Sequence, residues 1–201
     1  MISIMRKSLA NTRSATKEAT HERIVSVAAR AIRRSGYEGT SVADIMKEAG
    51  LTHGGFYAHF ASRDAMLAEA AHRACSESSK VTANVVAEVA PEQALAALLG
   101  VYLSQEHMER VETGCPLAAL GSETSRQGPE VRRVITRYLK EIIDGVARQS
   151  PDWGTPAAHE RAMVTVATMV GALLLARAVD ERSLSDGLRE SALKHLTSPG
   201  F

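Results

Sequence analysis

Apolar residues in this chain recur every three or four positions, and nowhere do they alternate over a run long enough for a strand. Over residues 17–34 the stripe is Ile24, Val27, Ala28, Ala31 and Ile32, the spacing of one helix face. The punctuation agrees with that period. Gly36 stands where a C-terminal cap belongs, and Gly50 closes the next periodic stretch. Pro91, Pro116 and Pro129 each open a further one, as proline does in a first helical turn. Helices are predicted over 17–34, 41–49, 52–60, 62–79, 91–107, a short span from 116, and 129–149, 157–179 and 185–196, with SPDWGTP at 150–156 a loop. The prediction is an all-α protein.

Charge divides the chain. Residues 1–75 hold 11 Lys and Arg against 7 Asp and Glu, whereas residues 76–201 hold 13 against 16. A basic front and an acidic back suggest different partners for two parts. We divide the chain into a flexible basic arm (1–16, with Arg6, Lys7 and Arg13 followed by Lys17), a first helical domain (17–75) and a second helical domain (76–201). Two cysteines make no disulfide framework, which fits a reducing cytoplasm. The apolar run over 162–176 is interrupted by Thr165 and Thr168 and is too short for a membrane span, so no membrane partner is expected.

The stretch LTHGGFYAHFAS, residues 51–62, holds three of the eight Phe, Tyr and Trp residues. It also holds a glycine pair, although glycine costs roughly 1 kcal/mol against alanine inside a helix. The segments 41–49 and 52–60, joined through Gly50, have the form of a helix-turn-helix, whose second helix lies in the major groove. Gly54 and Gly55 then fall at the end that faces base edges, where bare backbone N–H groups can face phosphate. Ser41 with Asp44 fits a loose capping box, Thr52 can cap the second helix, and Ser62 the one after. Phe56 and Phe60, four apart, are assigned to a small core with Val42, Ile45 and Leu51. Tyr57 and His53 share another face and are assigned to DNA, with His59 open between DNA and the turn. Thr40, Thr52 and Arg63 complete the predicted contacts.

The run GYEGTSVADIMKEAGLTHGGFYAHFASRDAMLAEA, residues 36–70, resembles the TetR family of bacterial one-component regulators. Ala49-Gly50, Thr52, Gly54 or Gly55, Phe56, Tyr57, His59 and Phe60 follow that family's pattern in order; Arg63 stands where the family often has Lys. The resemblance implies a second helical domain that binds a small-molecule effector and forms a homodimer through its last two long helices.

That implication can be set beside the residues. The segment with Met163, Val164, Val166, Ala167, Met169, Val170, Leu173 and Leu174 is apolar nearly all round, so both faces should be buried. We place Ala167, Val170, Gly171 and Leu174, with Leu184, Leu188, Ala192 and Leu196, at a dimer interface. Cys115, before Pro116, falls at a helix N-cap and is either an electrophile sensor or an inert buried thiol. Tyr102, His107, Leu117, Tyr138, Trp153, Met163 and Met169 are candidates for an effector pocket. No glycine-rich cofactor loop or metal-ligand spacing appears, and His21, His72, His159 and His195 are scattered, so neither cofactor nor metal is expected. The favoured function is a homodimeric repressor on a palindromic operator, released by a small molecule or by thiol modification. An activator or ligand-independent regulator is a variant of it, and an enzyme with Cys115 as nucleophile and His107 as base is the alternative from another class.

Overall fold

The computed structural model describes the backbone of residues 2–198 and the side chains of residues 14–198. Its regular structure among these is helical: α1 (Ile2–Ser35), α2 (Val42–Glu48), α3 (Arg63–Ala87), α4 (Ala94–Tyr102), α5 (Gln105–Glu109), α6 (Pro116–Thr124), α7 (Pro129–Ala147), α8 (Pro156–Ala178) and α9 (Arg182–Leu196), with short 3-10 turns at His53–Ala58, Pro91–Gln93 and Val111–Thr113. The stretch expected as a flexible arm is helical from Ile2 onward, because α1 meets no Gly or Pro before Gly36. The side chains of Arg6, Lys7 and Arg13 lie outside the described residues.

Local chemistry sets the ends of these helices. Gly36 has φ +77° and Gly50 φ +71°, the left-handed conformation that glycine adopts without Cβ strain. After α2, the Leu51 N–H reaches back to the Met46 carbonyl (2.8 Å), closing a Schellman-type cap around Gly50. Ser41 caps α2 by accepting the Asp44 N–H (3.1 Å), and Ser62 caps α3 by accepting that of Ala65 (3.1 Å). Each such cap is worth about 1 kcal/mol.

Beyond the helix-turn-helix, two departures from the predicted helices matter. The span 91–107 is broken at Leu103 and Ser104, where the Ser104 hydroxyl accepts the His107 N–H (3.1 Å) and starts α5 afresh. Helix α3 runs on past residue 79 to Ala87, straight through the boundary expected at 75 and 76. The basic front and the second domain therefore share one continuous helix. They also share a core: Ile24, Ile32, Ile45, Phe56, Phe60 and Met66 are contiguous with Leu117, Leu120, Val131 and Tyr138. A second cluster joins Leu98, Leu99, Val146, Val166 and Met169. By length and composition α8 is apolar enough to cross a bilayer, longer than the apolar run alone suggested. Its Ala158, Ala162, Val166, Met169, Leu173 and Ala176 face the domain interior.

Candidate DNA-reading site and effector cavity

Helix α2 and the 3-10 turn His53–Ala58 form the two arms of the helix-turn-helix. The second arm is not the α-helix expected over 52–60. Gly55 N–H bonds Thr52 O (3.0 Å) and His59 N–H bonds Phe56 O (2.9 Å), both three residues back. The aromatics divide as their spacing predicts. Phe56 and Phe60 are buried with ring centroids 5.3 Å apart, while Tyr57 is 73% exposed. Thr52, His53 and Gly54 are exposed beside it. A Cβ on Gly54 would meet nothing within 4 Å, and one on Gly55 would make only ordinary contacts with Met46 Cε (3.6 Å) and Thr52 Oγ1 (3.9 Å). Neither glycine has positive φ. The protein's own packing therefore does not require them, and the outward surface is left bare.

Three of the predicted DNA contacts are occupied inside the protein. Thr40 is buried and its hydroxyl donates to Gly36 O (2.8 Å), tying off the α1–α2 turn. Arg63 donates through one terminal nitrogen to the Tyr37 carbonyl and more weakly to that of Thr40 (3.4 Å), so that nitrogen is committed to backbone acceptors. His59 packs in a ring cluster with His21 (6.0 Å) and Phe60 (6.4 Å), and its Nδ1 is buried. Burial, then the neighbouring His21 and Lys17, holds its pKa below the ordinary histidine value. Thr52 makes no capping hydrogen bond with its side chain.

The second site is a cavity of about 400 Å³ between α3, α4 and the turn before α6, lined by Ser78, Val81, Thr82, Tyr102, His107 and Cys115 among others. Tyr102 separates it from a neighbouring cavity of about 510 Å³ that reaches Tyr138 and Met169. Of the predicted pocket residues, Tyr102, His107, Cys115, Tyr138 and Met169 are thus brought together. Leu117 is buried in the core instead. Trp153 is 61% exposed in the loop before α8, and Met163 is 43% exposed on the outer face of α8. Both lie apart from the cavities because a helix or loop position that sequence marks as apolar can equally face outward.

The His107 ring brackets the cavity wall. Its Nδ1 lies 2.6 Å from the Tyr102 carbonyl, to which it can only donate, and its Nε2 accepts the Cys115 N–H at 3.0 Å. Burial keeps the ring's pKa low, consistent with this neutral tautomer. Both nitrogens are spent on backbone, so the His107 base that the enzyme alternative needs has no free lone pair for the Cys115 thiol. Cys115 itself is 1% exposed, with Sγ 3.8 Å from the Tyr138 hydroxyl. Burial pushes the other thiol, Cys75, up to about 12.

Sequence gave no sign of what links the cavity to the DNA-reading end. Arg33, buried at the end of α1, donates to Glu77 on α3 (2.5 Å) and to the Gly114 carbonyl in the cavity wall (3.3 Å). Glu123 on α6 accepts the Tyr37 N–H (2.9 Å) just past Gly36, and a Cβ at Gly36 would lie 2.4 Å from its carboxylate. These partners are 44 to 86 residues apart in sequence. A cavity signal was present, however: Ser78, Val81, Thr82 and Val85 follow a helical stripe that ending α3 at 79 conceals.

Among the predicted interface residues, Ala192 and Leu196 are buried in the chain's own second core, and Val170 is half-buried against both cores. Their i, i+4 spacing on α9 serves the intramolecular contact with α4 and α8. Ala167 is exposed, Gly171 and Leu174 are half-buried, and together with Met163 they form an outward stripe on α8; Leu184 is exposed and Leu188 half-buried on α9.

A helix-turn-helix with one exposed reading arm, fused to a helical domain with a cavity, defines a DNA-binding transcriptional regulator. The chain belongs to the TetR family. Residues 24–70 match the bacterial regulatory proteins of the tetR family, and residues 91–185 match the C-terminal domain of LmrA/YxaF-like transcriptional regulators. It is 31% identical over 171 residues to an uncharacterised HTH-type transcriptional regulator of Mycobacterium tuberculosis, covering 78% of this chain and 83% of that one. A TetR regulator structure from Chloroflexus aurantiacus superposes with TM-score 0.77 at 25% identity over 92% of this chain and 97% of that one. The reduced form of Escherichia coli NemR shares the fold, with TM-score 0.75 at 20% identity over 89% and 95% of the two chains.

Proposed function

We propose that the protein is a cytoplasmic, homodimeric repressor that binds a palindromic operator and is released when a small molecule occupies the cavity beside Tyr102. The observation that carries the DNA half is the exposure of Tyr57 (73%) next to open Gly54, while Phe56 and Phe60 hold the same element to the core. Tyr57 offers its hydroxyl to a phosphate, His53 lies on the same arm, and the glycines admit the backbone to the groove.

Release follows from the brackets between cavity and α1. A ligand that displaces the turn at Gly114 pulls on Arg33, and movement of α6 pulls on the Tyr37 N–H through Glu123. The reading arms then change spacing, and the effector's differential affinity for the two arrangements sets the extent of release. Occupancy is taken as the signal: Cys115 is 1% exposed and lines the same cavity, so any reagent that modifies it must first occupy that cavity.

Selection of binding sequences from random double-stranded DNA, at stated salt, tests the reading. Enrichment of an inverted repeat with half-sites about 10 bp apart is expected for two symmetric heads on one face of the duplex. A pool that shows no enriched sequence after repeated rounds refutes it.

A further inference from the structure

The cavity of about 400 Å³ has an apolar side and a polar end. Val81, Val85, Leu98 and Val101 supply the first, and Tyr102 with Cys115 closes the second. Two buried donors around that end lack acceptors. The Tyr102 hydroxyl is buried with no partner that meets hydrogen-bond geometry; the Cys115 thiol, a weak acceptor, lies beside it, and Tyr138 and Arg177 also act on it. Burial holds its pKa well above that of ordinary tyrosine, so the group stays an O–H donor.

Arg177 on α8 is the second. Its Nε donates to the Met108 carbonyl (3.1 Å) and one terminal nitrogen to the His107 carbonyl (2.6 Å). The other terminal nitrogen, Nη1, is buried without a partner. The surroundings that act on this guanidinium are burial, Tyr102 and Cys115, with no carboxylate among them. Native proteins leave few buried donors orphaned, and those that remain call for an explanation. At the mouth, Glu106 and Arg110 neutralise one another at 2.9 Å, each 68% exposed, so the rim adds no net charge. Arg177 does not line the cavity, but its guanidinium is the positive charge that acts on the Tyr102 hydroxyl, and that phenol O–H is left waiting for an acceptor.

We infer that the cavity takes a largely apolar ligand carrying an acceptor oxygen that docks on the Tyr102 hydroxyl, and that it discriminates against cations. The inference rests on this cavity being the effector site. Its volume lies within the range of small-ligand pockets, enough for two aromatic rings.

The test uses three probes of one shape: 4-biphenylcarboxylate, 4-biphenylcarboxamide and 4-biphenylmethylammonium, titrated calorimetrically into the full chain at neutral pH. The carboxylate and the amide should bind at least about tenfold more tightly than the ammonium, since hydrogen bonds to buried groups discriminate on that scale. Tyr102→Phe should weaken the carboxylate about tenfold and leave the ammonium unchanged, with helical content retained as the check on folding. If that variant fails to fold, the order of the three probes on the native chain still decides. An ammonium that binds as well as the carboxylate, a folded Tyr102→Phe with undiminished carboxylate affinity, or no binding by any probe overturns the assignment. Binding of the ligand-free chain to its selected DNA site is measured alongside. Loss of DNA binding there defeats the regulator reading itself, whereas intact DNA binding with the wrong probe order defeats only the ligand class.

Discussion

His107 shows how one side chain can join the cavity to the turn that precedes α6. Its ring spans Tyr102 O and Cys115 N–H, and a Cβ on Gly114 would come within 2.8 Å of Nε2. Protonation would turn Nε2 from acceptor to donor and set it against the Cys115 N–H. The ring's pKa is lowered from 6.5, chiefly by burial. A depressed folded value means the unfolded chain binds the proton first, so stability is fully present above about pH 6.5 and lost as pH falls through the folded value. The thermal midpoint should fall on acidification from pH 7.5 to 5, and His107→Asn, which cannot titrate, should reduce the size of that fall. An identical pH profile in the variant would remove His107 from the account. The residue type was visible in the sequence. Its role was not, because nothing in the spacing of 107 and 115 tells that both nitrogens are taken by backbone.

At the scale of the element, what the sequence made legible was what neighbours determine. The caps at Ser41 and Ser62, the turns at Gly36 and Gly50, and the burial of Phe56 and Phe60 all follow from contacts within a few residues. The recognition arm was placed correctly but as the wrong helix. Two adjacent glycines in the six-residue turn remove the propensity that would sustain an α-helix there. The partners of Arg33, Tyr37 and Arg177 lie tens of residues away, so tertiary packing alone reveals those brackets. The 3-10 arm yields a direct experiment on its glycines. Since added Cβ atoms at Gly54 and Gly55 find ordinary or open space, the double Gly54→Ala, Gly55→Ala variant should fold with a melting temperature at or above the native one. Its affinity for the selected site should nevertheless drop by about tenfold or more if backbone and phosphate meet there, equivalent to about 1.4 kcal/mol. Native DNA affinity measured by fluorescence anisotropy would instead make the glycine pair incidental.

For the whole molecule, the decisive question is what covers the outer stripe of α8. Met163, Ala167, Gly171 and Leu174 descend one helix face at spacings of three and four, apolar throughout and not enclosed by the chain's own cores. Small Ala167 and Gly171 at its centre let two backbones approach, and a two-fold axis through the stripe would set two α8 helices against one another, flanked by Leu184 and Leu188 of each α9. The same axis would carry two reading arms onto one face of the duplex, which a single arm, with few residues facing bases, cannot match in specificity. Gly171→Arg isolates this claim. An added Cβ there meets nothing within 4 Å of the chain's own atoms, so the monomer fold has room for the side chain, and arginine is a better helix former than glycine. Sedimentation should therefore show a dimer for the native protein and a folded monomer for the variant. Affinity for the inverted repeat should fall by about a hundredfold or more, while weak, salt-sensitive binding to arbitrary DNA persists through the single remaining head. A Gly171→Arg protein that still sediments as a dimer would move the interface off α8, and the geometry that relates the two reading arms would have to be rebuilt from another face.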